Sequence, residues 1–227
     1  MGAIPQGFFI TLEGGEGAGK STLQSQLADY LIANGYEVVK TREPGGSQLG
    51  EAIRTWLLDS NNSFKIAPRA ELLLFLAARA QHIKELIEPA LKAGKIVLCD
   101  RFNDSTIAYQ GAARGLDIKS AQKLCQFVCE KIQPQLTLFL DVDPKQGLLR
   151  SQKLSKEHAE SGKLDRIESE EIKFHEEVRK AFLALAKREP FRIYRIDANK
   201  SQSAVLEEAI RALDKLLLLP AKQNMRK

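Results

Sequence analysis

Short apolar runs and amphipathic segments alternate along the chain. The first run begins at Phe8, is rich in residues that favour strands and leads into Gly14. After it, Leu23, Leu27 and Leu31 recur at helical spacing. The same patterns predict further strands at 36–41, 96–99, Leu136–Asp141 and 191–196. Further helices are predicted around Leu49 to Leu57, over 71–92 with an opening at Pro68 and a break near Pro89, and over 118–131, 144–150 and 204–217.

Strands separated by helices are typical of an α/β fold with a doubly wound parallel sheet. The chain has 227 residues, of which 44% are apolar, so a single domain over 1–227 with a sizeable core is the expectation. The tail, 220–227, is expected to be frayed. In such folds, ligands bind at the carboxyl ends of the strands.

The charge and the cysteines limit the classes of partner and compartment. A net charge of +5 suits an anionic ligand, but 34 basic residues are interspersed with 29 acidic ones, so the sequence does not indicate nucleic-acid binding. Cys99, Cys125 and Cys129 lack zinc spacing, and a buried, reduced state is expected for the pair on one helix face. Residues 1–7 lack the features of a signal peptide, and no apolar run approaches membrane length. A cytoplasmic protein without a membrane partner is the expectation.

A phosphate-binding loop joins the first strand to the first helix. Glycines at the first and sixth positions of Gly14-x-x-x-x-Gly19-Lys20-Ser21 let the backbone turn its N–H groups towards a polyphosphate. The start of the helix adds the positive end of its dipole, Lys20 reaches the β- and γ-phosphates, and the Ser21 hydroxyl can ligate Mg²⁺. A chance match is the alternative, but the flanking strand and helix are those that the motif requires. The sequence therefore predicts nucleotide binding.

Four polar clusters follow predicted strand ends. They are 14–20, 42–46, 100–101 and 141–143, and we expect them to converge on one crevice. A guanidinium offers fork geometry to phosphate oxygens, so Arg54 and Arg101 are candidates to hold a second phosphate. An ordinary exposed helix arginine is the alternative for Arg54.

Five motifs in order carry a resemblance to a known family. They are Glu13-Gly14-Gly15-Glu16-Gly17-Ala18-Gly19-Lys20-Ser21, Arg42-Glu43-Pro44-Gly45-Gly46, Phe75-Leu76-Ala77-Ala78-Arg79, Asp100-Arg101-Phe102 with Ser105 and Ala108-Tyr109-Gln110, and Leu164-Asp165-Arg166-Ile167-Glu168. From about Phe8 to Asn199 the chain resembles the bacterial type of thymidylate kinases. The resemblance implies a three-layer P-loop kinase fold with a five-stranded parallel sheet, a mobile lid at about 151–163, and a homodimer. It also implies transfer of the γ-phosphoryl group of MgATP to dTMP, giving dTDP and ADP for dTTP synthesis.

The resemblance extends to individual residues. The implied catalytic residues are Lys20, Glu16, Arg101, Arg150 and Arg166. The implied ATP site is Gly14, Gly15, Glu16, Gly17, Ala18, Gly19, Lys20, Ser21 and Thr22. The implied dTMP site is Glu16, Pro44, Arg54, Phe75, Arg79, Arg101, Ser105, Thr106, Tyr109 and Gln110, with Phe75 on the thymine ring and Tyr109 against a ribose 2′-hydroxyl. Ser21, Asp100 and Glu168 are the implied Mg²⁺ residues, and a cis Glu43–Pro44 bond is implied.

Some of these positions have structural alternatives. Phe75 lies in an apolar run and is otherwise a core residue, Glu16 is otherwise a solvated loop acid, and Asp165 and Glu168 are otherwise acids on one helix face. The segment between Arg150 and Arg166 departs from the family because it has lysines (Lys153, Lys156 and Lys163) but no arginine. Which cation closes over the phosphates is therefore left open.

Three other functions use the same loop. Another nucleoside monophosphate kinase would lack the combination of Phe75, Arg79 and Tyr109. A signalling GTPase would carry Asn-Lys-x-Asp, but Asn199-Lys200-Ser201-Gln202 lacks the acid. A nucleic-acid-dependent ATPase would need a second basic or aromatic groove, which the sequence does not indicate.

Overall fold

A computed structural model describes residues 7–60, 64–158 and 165–223, with the main chain alone for 154–158 and 218–223. The described residues form one parallel sheet in the order β2-β3-β1-β4-β5. Its strands are β1 (Phe8–Gly14), β2 (Val38–Arg42), β3 (Ile96–Asp100), β4 (Leu136–Asp141) and β5 (Ile193–Asp197). Because every pairing is parallel, all five carboxyl ends lie at one edge.

Helices cover both faces of this sheet. They are α1 (Lys20–Ala33), α2 (Gln48–Leu58), α3 (Pro68–His82), α4 (Glu88–Lys92), α5 (Asn103–Thr106), α6 (Ile118–Cys129), α7 (Pro144–His158), α8 (Ile172–Arg188) and α9 (Gln202–Gln223), with π-helical segments at Ile83–Ile87 and Ile107–Ala113. Within the described residues, no helix combines the length and the apolar character that crossing a bilayer requires.

Successive side chains of β1 point to opposite faces of the sheet and contribute to a different apolar cluster on each face. Ile10 and Leu12 pack with Leu27 of α1 and Leu213 of α9 on one face. Phe9 points to the other face and packs with the π-helical segment and β3. A third cluster joins Phe139 of β4 to α8, so the predicted three-layer α/β arrangement is confirmed.

The predicted element bounds are close, with the following differences. β2 begins at Val38 rather than 36, and β5 spans Ile193–Asp197 because Phe191 is fully exposed before it. The region 71–92 is not broken at Pro89: the chain stays helical, and the π-helical turn before Pro89 accommodates the missing N–H. α7 continues to His158 and α9 to Gln223, into the predicted lid and tail. α8 and the helical region 103–113 were missed.

Several sequence predictions fall on residues outside the described ranges. These are the start of the chain (1–6), part of the polar loop (61–63), part of the predicted lid (159–164, with Lys163) and the end of the tail (224–227). All three cysteines are free and buried, which for Cys125 and Cys129 agrees with the prediction of a buried, reduced pair.

Candidate functional site

The phosphate-binding loop lies between β1 and α1. Gly17 has φ +62°, and a Cβ on it would lie 2.0 Å from the carbonyl oxygen of Gly147 in α7, so glycine is required on both grounds. A Cβ on Gly147 would in turn lie 2.3 Å from the carbonyl oxygen of Glu16. The loop therefore packs backbone to backbone against the first turns of α7.

The side chain of Lys20 lies inside this loop and bonds its main chain. Its Nζ donates to the carbonyl oxygens of Gly15 (2.8 Å) and Gly14 (3.2 Å). Burial lowers the pKa of Lys20, and the charge of Arg101 lowers it further. Since α1 begins at Lys20, the helix N-terminus and the ammonium group provide positive potential at the same point.

A crevice of about 360 Å³ opens beside the loop at the carboxyl ends of the strands. Most of the predicted site residues line it: Glu16, Gly17, Ala18, Gly19, Lys20, Ser21, Thr22, Pro44, Arg54, Phe75, Arg79, Asp100, Arg101, Ser105, Thr106, Tyr109, Gln110 and Glu168. The first three of the four polar clusters therefore converge as predicted.

The fourth cluster does not, which corrects the prediction for 141–143. Asp141 is 2% exposed and accepts hydrogen bonds from Arg179 of α8 (2.7 Å) and Arg195 of β5 (2.6 Å). Two arginines thus neutralise this carboxylate and hold it away from the crevice. One of them comes from the helix that the sequence pattern did not predict.

An arginine, a glutamate and a tyrosine form a charged cluster in the crevice. Arg101 donates from NH2 to Glu16 Oε1 (2.7 Å), and the Tyr109 hydroxyl donates to the same oxygen (2.8 Å). The guanidinium also lies 5.0 Å from the centre of the Tyr109 ring. Burial acts to raise the pKa of Glu16, but Arg101, Lys20 and the tyrosine hydrogen bond outweigh it and lower the pKa to about 2. Glu16 is therefore a carboxylate at neutral pH and not a loosely solvated loop acid.

A buried glutamate that sequence reasoning did not assign supports this cluster from below. Glu13 accepts hydrogen bonds from the main chain of Phe102 (2.8 Å) and from the hydroxyl of Ser105 (2.6 Å). Burial and the nearby Asp104 raise the pKa of Glu13 to about 8. Ser105 also accepts from Arg101 (3.2 Å), so Glu13 helps to orient two predicted site residues. The sequence feature that could have identified Glu13 is its position near the end of a buried strand, directly before the first loop glycine.

A carboxylate and a hydroxyl meet at the loop end of the crevice. The Ser21 hydroxyl donates to Asp100 Oδ2 (2.9 Å). The second oxygen, Oδ1, is buried and has no hydrogen-bond partner among the residues that the structure describes. Because buried carboxylate oxygens are normally satisfied, this oxygen marks a place where a further group fits.

The other end of the crevice is lined by an aromatic ring and two more arginines. Arg54 donates to the carbonyl oxygen of Pro44 (3.0 Å), and the Glu43–Pro44 peptide bond is cis, as the resemblance implied. Phe75 is half-buried with one side on the crevice, whereas Arg79 is only 2% exposed.

Protein groups hold most of the Arg79 guanidinium. Its Nε donates to Glu43 Oε2 (2.7 Å) and its NH1 to Asn103 Oδ1 (3.1 Å). Glu43 Oε1 bonds His82 Nδ1 (2.9 Å). Arg79 therefore reaches the crevice from a fixed, charge-paired position.

The structure does not bring Arg150 and Arg166 to the crevice: among its described lining residues, neither is found. Arg150 donates to the carbonyl oxygen of Ala198 (2.9 Å). Arg166 donates to the carbonyl oxygen of Leu57 (2.8 Å) and to Glu71 (2.5 Å). Their catalytic role stays a prediction.

Asp165 and Glu168 form a reciprocal turn beside the crevice. Asp165 Oδ1 accepts from the main-chain N–H of Glu168 (2.8 Å), and Glu168 Oε2 accepts from that of Asp165 (3.1 Å). Ser151 of α7 donates to Glu168 Oε1 (2.5 Å). Ser151, Leu58 and Ile167 also line the crevice. Sequence reasoning did not assign them, because Ser151 and Leu58 lie outside the five motifs and Ile167 is an apolar member of one.

Comparisons with known proteins agree on one family. The family model "Thymidylate kinase" matches residues 12–209. A thymidylate kinase of Protochlamydia amoebophila (strain UWE25) is 66% identical over 209 residues, which cover 92% of this chain and 93% of that protein. One from Synechococcus sp. (strain JA-3-3Ab) is 50% identical over 193 residues, covering 85% and 88%. The crystal structure of thymidylate kinase from Ehrlichia chaffeensis is 34% identical with a TM-score of 0.71, covering 91% and 98%.

Proposed function

Since this chain belongs to the thymidylate kinase family, which transfers a phosphoryl group from ATP to dTMP, we propose that both nucleotides bind in the crevice described above. The chain is a dTMP kinase with the P-loop kinase fold, and it makes dTDP in dTTP synthesis. The observation that carries the site assignment is the meeting of Lys20, Arg101 and Glu16 in one crevice with Phe75 at its other end.

We assign the donor triphosphate to the phosphate-binding loop. Lys20 now bonds two loop carbonyls, and a polyphosphate would offer its ammonium group stronger, charge-assisted partners. The loop residues Gly14 to Thr22 contribute main-chain N–H groups and the N-terminus of α1.

We assign dTMP to the opposite end. Arg101 and Arg54 would bind its phosphate, Phe75 would stack on thymine, and Arg79 would face the carbonyl edge of the base. Pro44, Ser105, Thr106, Tyr109 and Gln110 complete this proposed pocket. The pairing of Glu16 with Arg101 and Tyr109 supports a role for Glu16 at the sugar, because it holds a carboxylate at a defined point.

The residues present fit a Mg²⁺ ion. Mg²⁺ prefers hard oxygen ligands and keeps several waters, so one or two protein oxygens suffice beside the phosphates. Asp100 Oδ1 and the Ser21 hydroxyl are such oxygens, and Oδ1 is buried without a hydrogen bond among the described residues. We propose that they hold the ion, with Glu168 as a further candidate. The bound ion would supply positive charge next to the phosphates.

The chemistry that we propose is direct, in-line transfer without a covalent enzyme intermediate. The dTMP phosphate is already ionised, so positioning and charge neutralisation by Lys20 and Arg101 carry the catalysis. For Arg150 and Arg166 to act as catalytic cations, they would have to leave the carbonyl of Ala198 and the carboxylate of Glu71. Closure of a lid at 151–163 stays a proposal from the family.

A homodimer and a cytoplasmic location are further proposals. Exposed apolar side chains on α2 (Leu49 and Trp56) and on α3 (Leu73) support a dimer, since these two helices pack side by side. The buried, free cysteines suit a reducing compartment. We also propose that residues 1–227 form one domain, with no role for nucleic acid.

The acceptor is tested by turnover of the purified enzyme with MgATP and dTMP, dUMP, UMP, dCMP, AMP or GMP, measuring ADP and the diphosphate product. We expect a clear preference for dTMP. Lys20→Ala should lower kcat by about 100-fold or more, whereas Lys123→Ala, exposed on α6, should not change it. ATP turnover that is indifferent to every monophosphate would contradict the site assignment, and nucleic acid would then be tested as the missing partner.

A further inference from the structure

A second, much smaller cavity lies against the phosphate-binding loop. It has a volume of about 10 Å³. Its polar side is formed by Gly15 and Glu16 of the loop, Asp141, and His175 and Arg179 of α8, and its apolar side by Phe139, Leu140, Val142, Pro144 and Leu148. A cavity of this size holds about one water molecule, provided that polar atoms line it. The lining has these polar atoms, so the cavity is suited to one ordered water.

His175 presents an unsatisfied nitrogen in this region. The residue is 4% exposed, and its Nε2 has no hydrogen-bond partner among the residues that the structure describes. Nε2 is therefore the ring nitrogen that lacks a partner in the described part of the chain. Since buried polar atoms nearly always have a partner, a water in the cavity accounts for Nε2.

α8 is fixed in a way that keeps His175 beside the loop. Arg179 lies one turn further along the same helix face and pairs with Asp141 at the end of β4 (2.7 Å). The ring of Phe174 contacts that of Tyr109, with centroids 6.0 Å apart. Tyr109 in turn donates to Glu16, so α8 approaches Glu16 through two neighbouring side chains.

The charge state of His175 suits a water-mediated contact. Burial lowers the pKa of His175 below its ordinary value, although the carboxylate of Glu16 acts in the opposite direction. The ring is therefore neutral at pH 7.5, with one nitrogen free to bond a water. A neutral ring also leaves the pairing of Glu16 with Arg101 undisturbed.

We propose that His175 is a positioning residue for phosphoryl transfer, whose Nε2 supports the phosphate-binding loop at Glu16 through one water molecule in this cavity. The inference rests on the assignment of Glu16 to the dTMP site made above. Without the contact, Glu16 and the carbonyl of Gly15 that bonds Lys20 lose support on their cavity side. Turnover should fall more than substrate binding, because the loop must be aligned in the transition state.

Substituting His175 by glutamine or by asparagine distinguishes a role of Nε2 from a role of Nδ1. The amide of glutamine reaches the position of Nε2, whereas that of asparagine reaches only the position of Nδ1. We expect His175→Gln to keep kcat within about twofold of the wild type and His175→Asn to lower it about five- to tenfold, which is the effect of one hydrogen bond. KM for dTMP and ATP should change little in either variant.

Val178→Ala is the matched control, because Val178 lies in the core on the same helix and does not line the cavity. It should lower the melting temperature and leave kcat unchanged. Equal kcat values in His175→Gln and His175→Asn would overturn the inference, and so would a loss of kcat in His175→Gln alone. Either result would mean that the role of His175 in turnover depends on the packing of its ring or on Nδ1 and not on Nε2. A crystal structure without a water at hydrogen-bonding distance from Nε2 would overturn it as well.

Glu16→Gln separates this inference from the function on which it rests. If that variant turns over dTMP like the wild type, the assignment of Glu16 is wrong and the inference fails with it. If Glu16→Gln is impaired but His175→Asn is not, only the role of His175 is wrong.

Discussion

Glu71 of α3 is a buried carboxylate whose removal should destabilise the protein. The residue is 1% exposed and accepts hydrogen bonds from Gln110 (2.9 Å), from Arg114 (3.2 Å) and from Arg166 (2.5 Å). It therefore joins the proposed dTMP pocket to the segment that follows the predicted lid. Glu71→Gln keeps the shape of the side chain but removes the counter-charge that Arg114 and Arg166 share, although Arg114 keeps a second partner in Glu170 (2.6 Å).

The size of the effect follows from the burial of the partners. Breaking a buried pair by removing one partner costs about 3–5 kcal/mol. The side chains of Arg114 and Arg166 are 15% and 22% exposed, so water replaces part of the lost contact and the lower end, about 3 kcal/mol, applies. For a chain of this size, about 2–4 °C per kcal/mol predicts a fall in melting temperature of about 6–12 °C.

Thermal unfolding of Glu71→Gln and of a control variant tests this value. Glu177→Gln removes an exposed partner of Lys180, whose pair has side chains 53% and 69% exposed, and should change the melting temperature little. Burial acts to raise the pKa of Glu71, but the hydrogen bond from Gln110 and the two arginines outweigh it and lower the pKa. A lowered pKa contributes stability that is present above about pH 4.5 and lost as the pH falls further, so the difference from the wild type should shrink below that pH.

Equal melting temperatures for Glu71→Gln and Glu177→Gln at pH 7.5 would refute the reasoning. They would mean that the two arginines are as well solvated as an exposed lysine. A difference that does not depend on pH would exclude the ionised form of Glu71 as its source.

Three further substitutions test the site. Phe75→Ala should raise KM for dTMP about tenfold or more and leave KM for ATP unchanged, because an aromatic ring in the base pocket is lost; equal rises in both constants would contradict this. Asp100→Asn should raise the Mg²⁺ concentration for half-maximal turnover about tenfold or more, and an unchanged Mg²⁺ titration would remove Asp100 from the proposed metal site. Tyr109→Phe should lower the preference for dTMP over its ribose analogue about five- to tenfold, measured as a ratio of kcat/KM values, and an unchanged ratio would exclude the hydroxyl as the discriminator.

The phosphate-binding loop was predictable because its chemistry is local. The glycines, Lys20 and Ser21 lie within eight residues, between a continuous apolar run that forms β1 and leucines at helical spacing in α1. The crevice followed from the parallel sheet, since strand ends must meet at one edge. Predicting the loop and the crevice does not require knowing which helices pack against each other.

The partners of buried charges were not predictable in this way. Asp141 is the last residue of β4 as Asp100 is of β3, yet Arg179 and Arg195 neutralise Asp141. That difference depends on how α8 packs: Val178, Phe182 and Leu185 recur at helical spacing, but this spacing does not tell which strand-end carboxylate Arg179 will meet. The continuous helix through Pro89 likewise depends on a π-helical turn that packing selects.

The backbone contact between Gly17 and Gly147 restricts how this enzyme can be re-engineered. Neither glycine can accept a side chain, because each would place a Cβ within 2.3 Å of the other segment's carbonyl oxygen. Both positions must therefore stay glycine in any variant, and the first turns of α7 cannot be exchanged independently of the phosphate-binding loop. A chimera that takes residues 151–163 from a relative should be joined after Gly147, so that the graft keeps the contact intact.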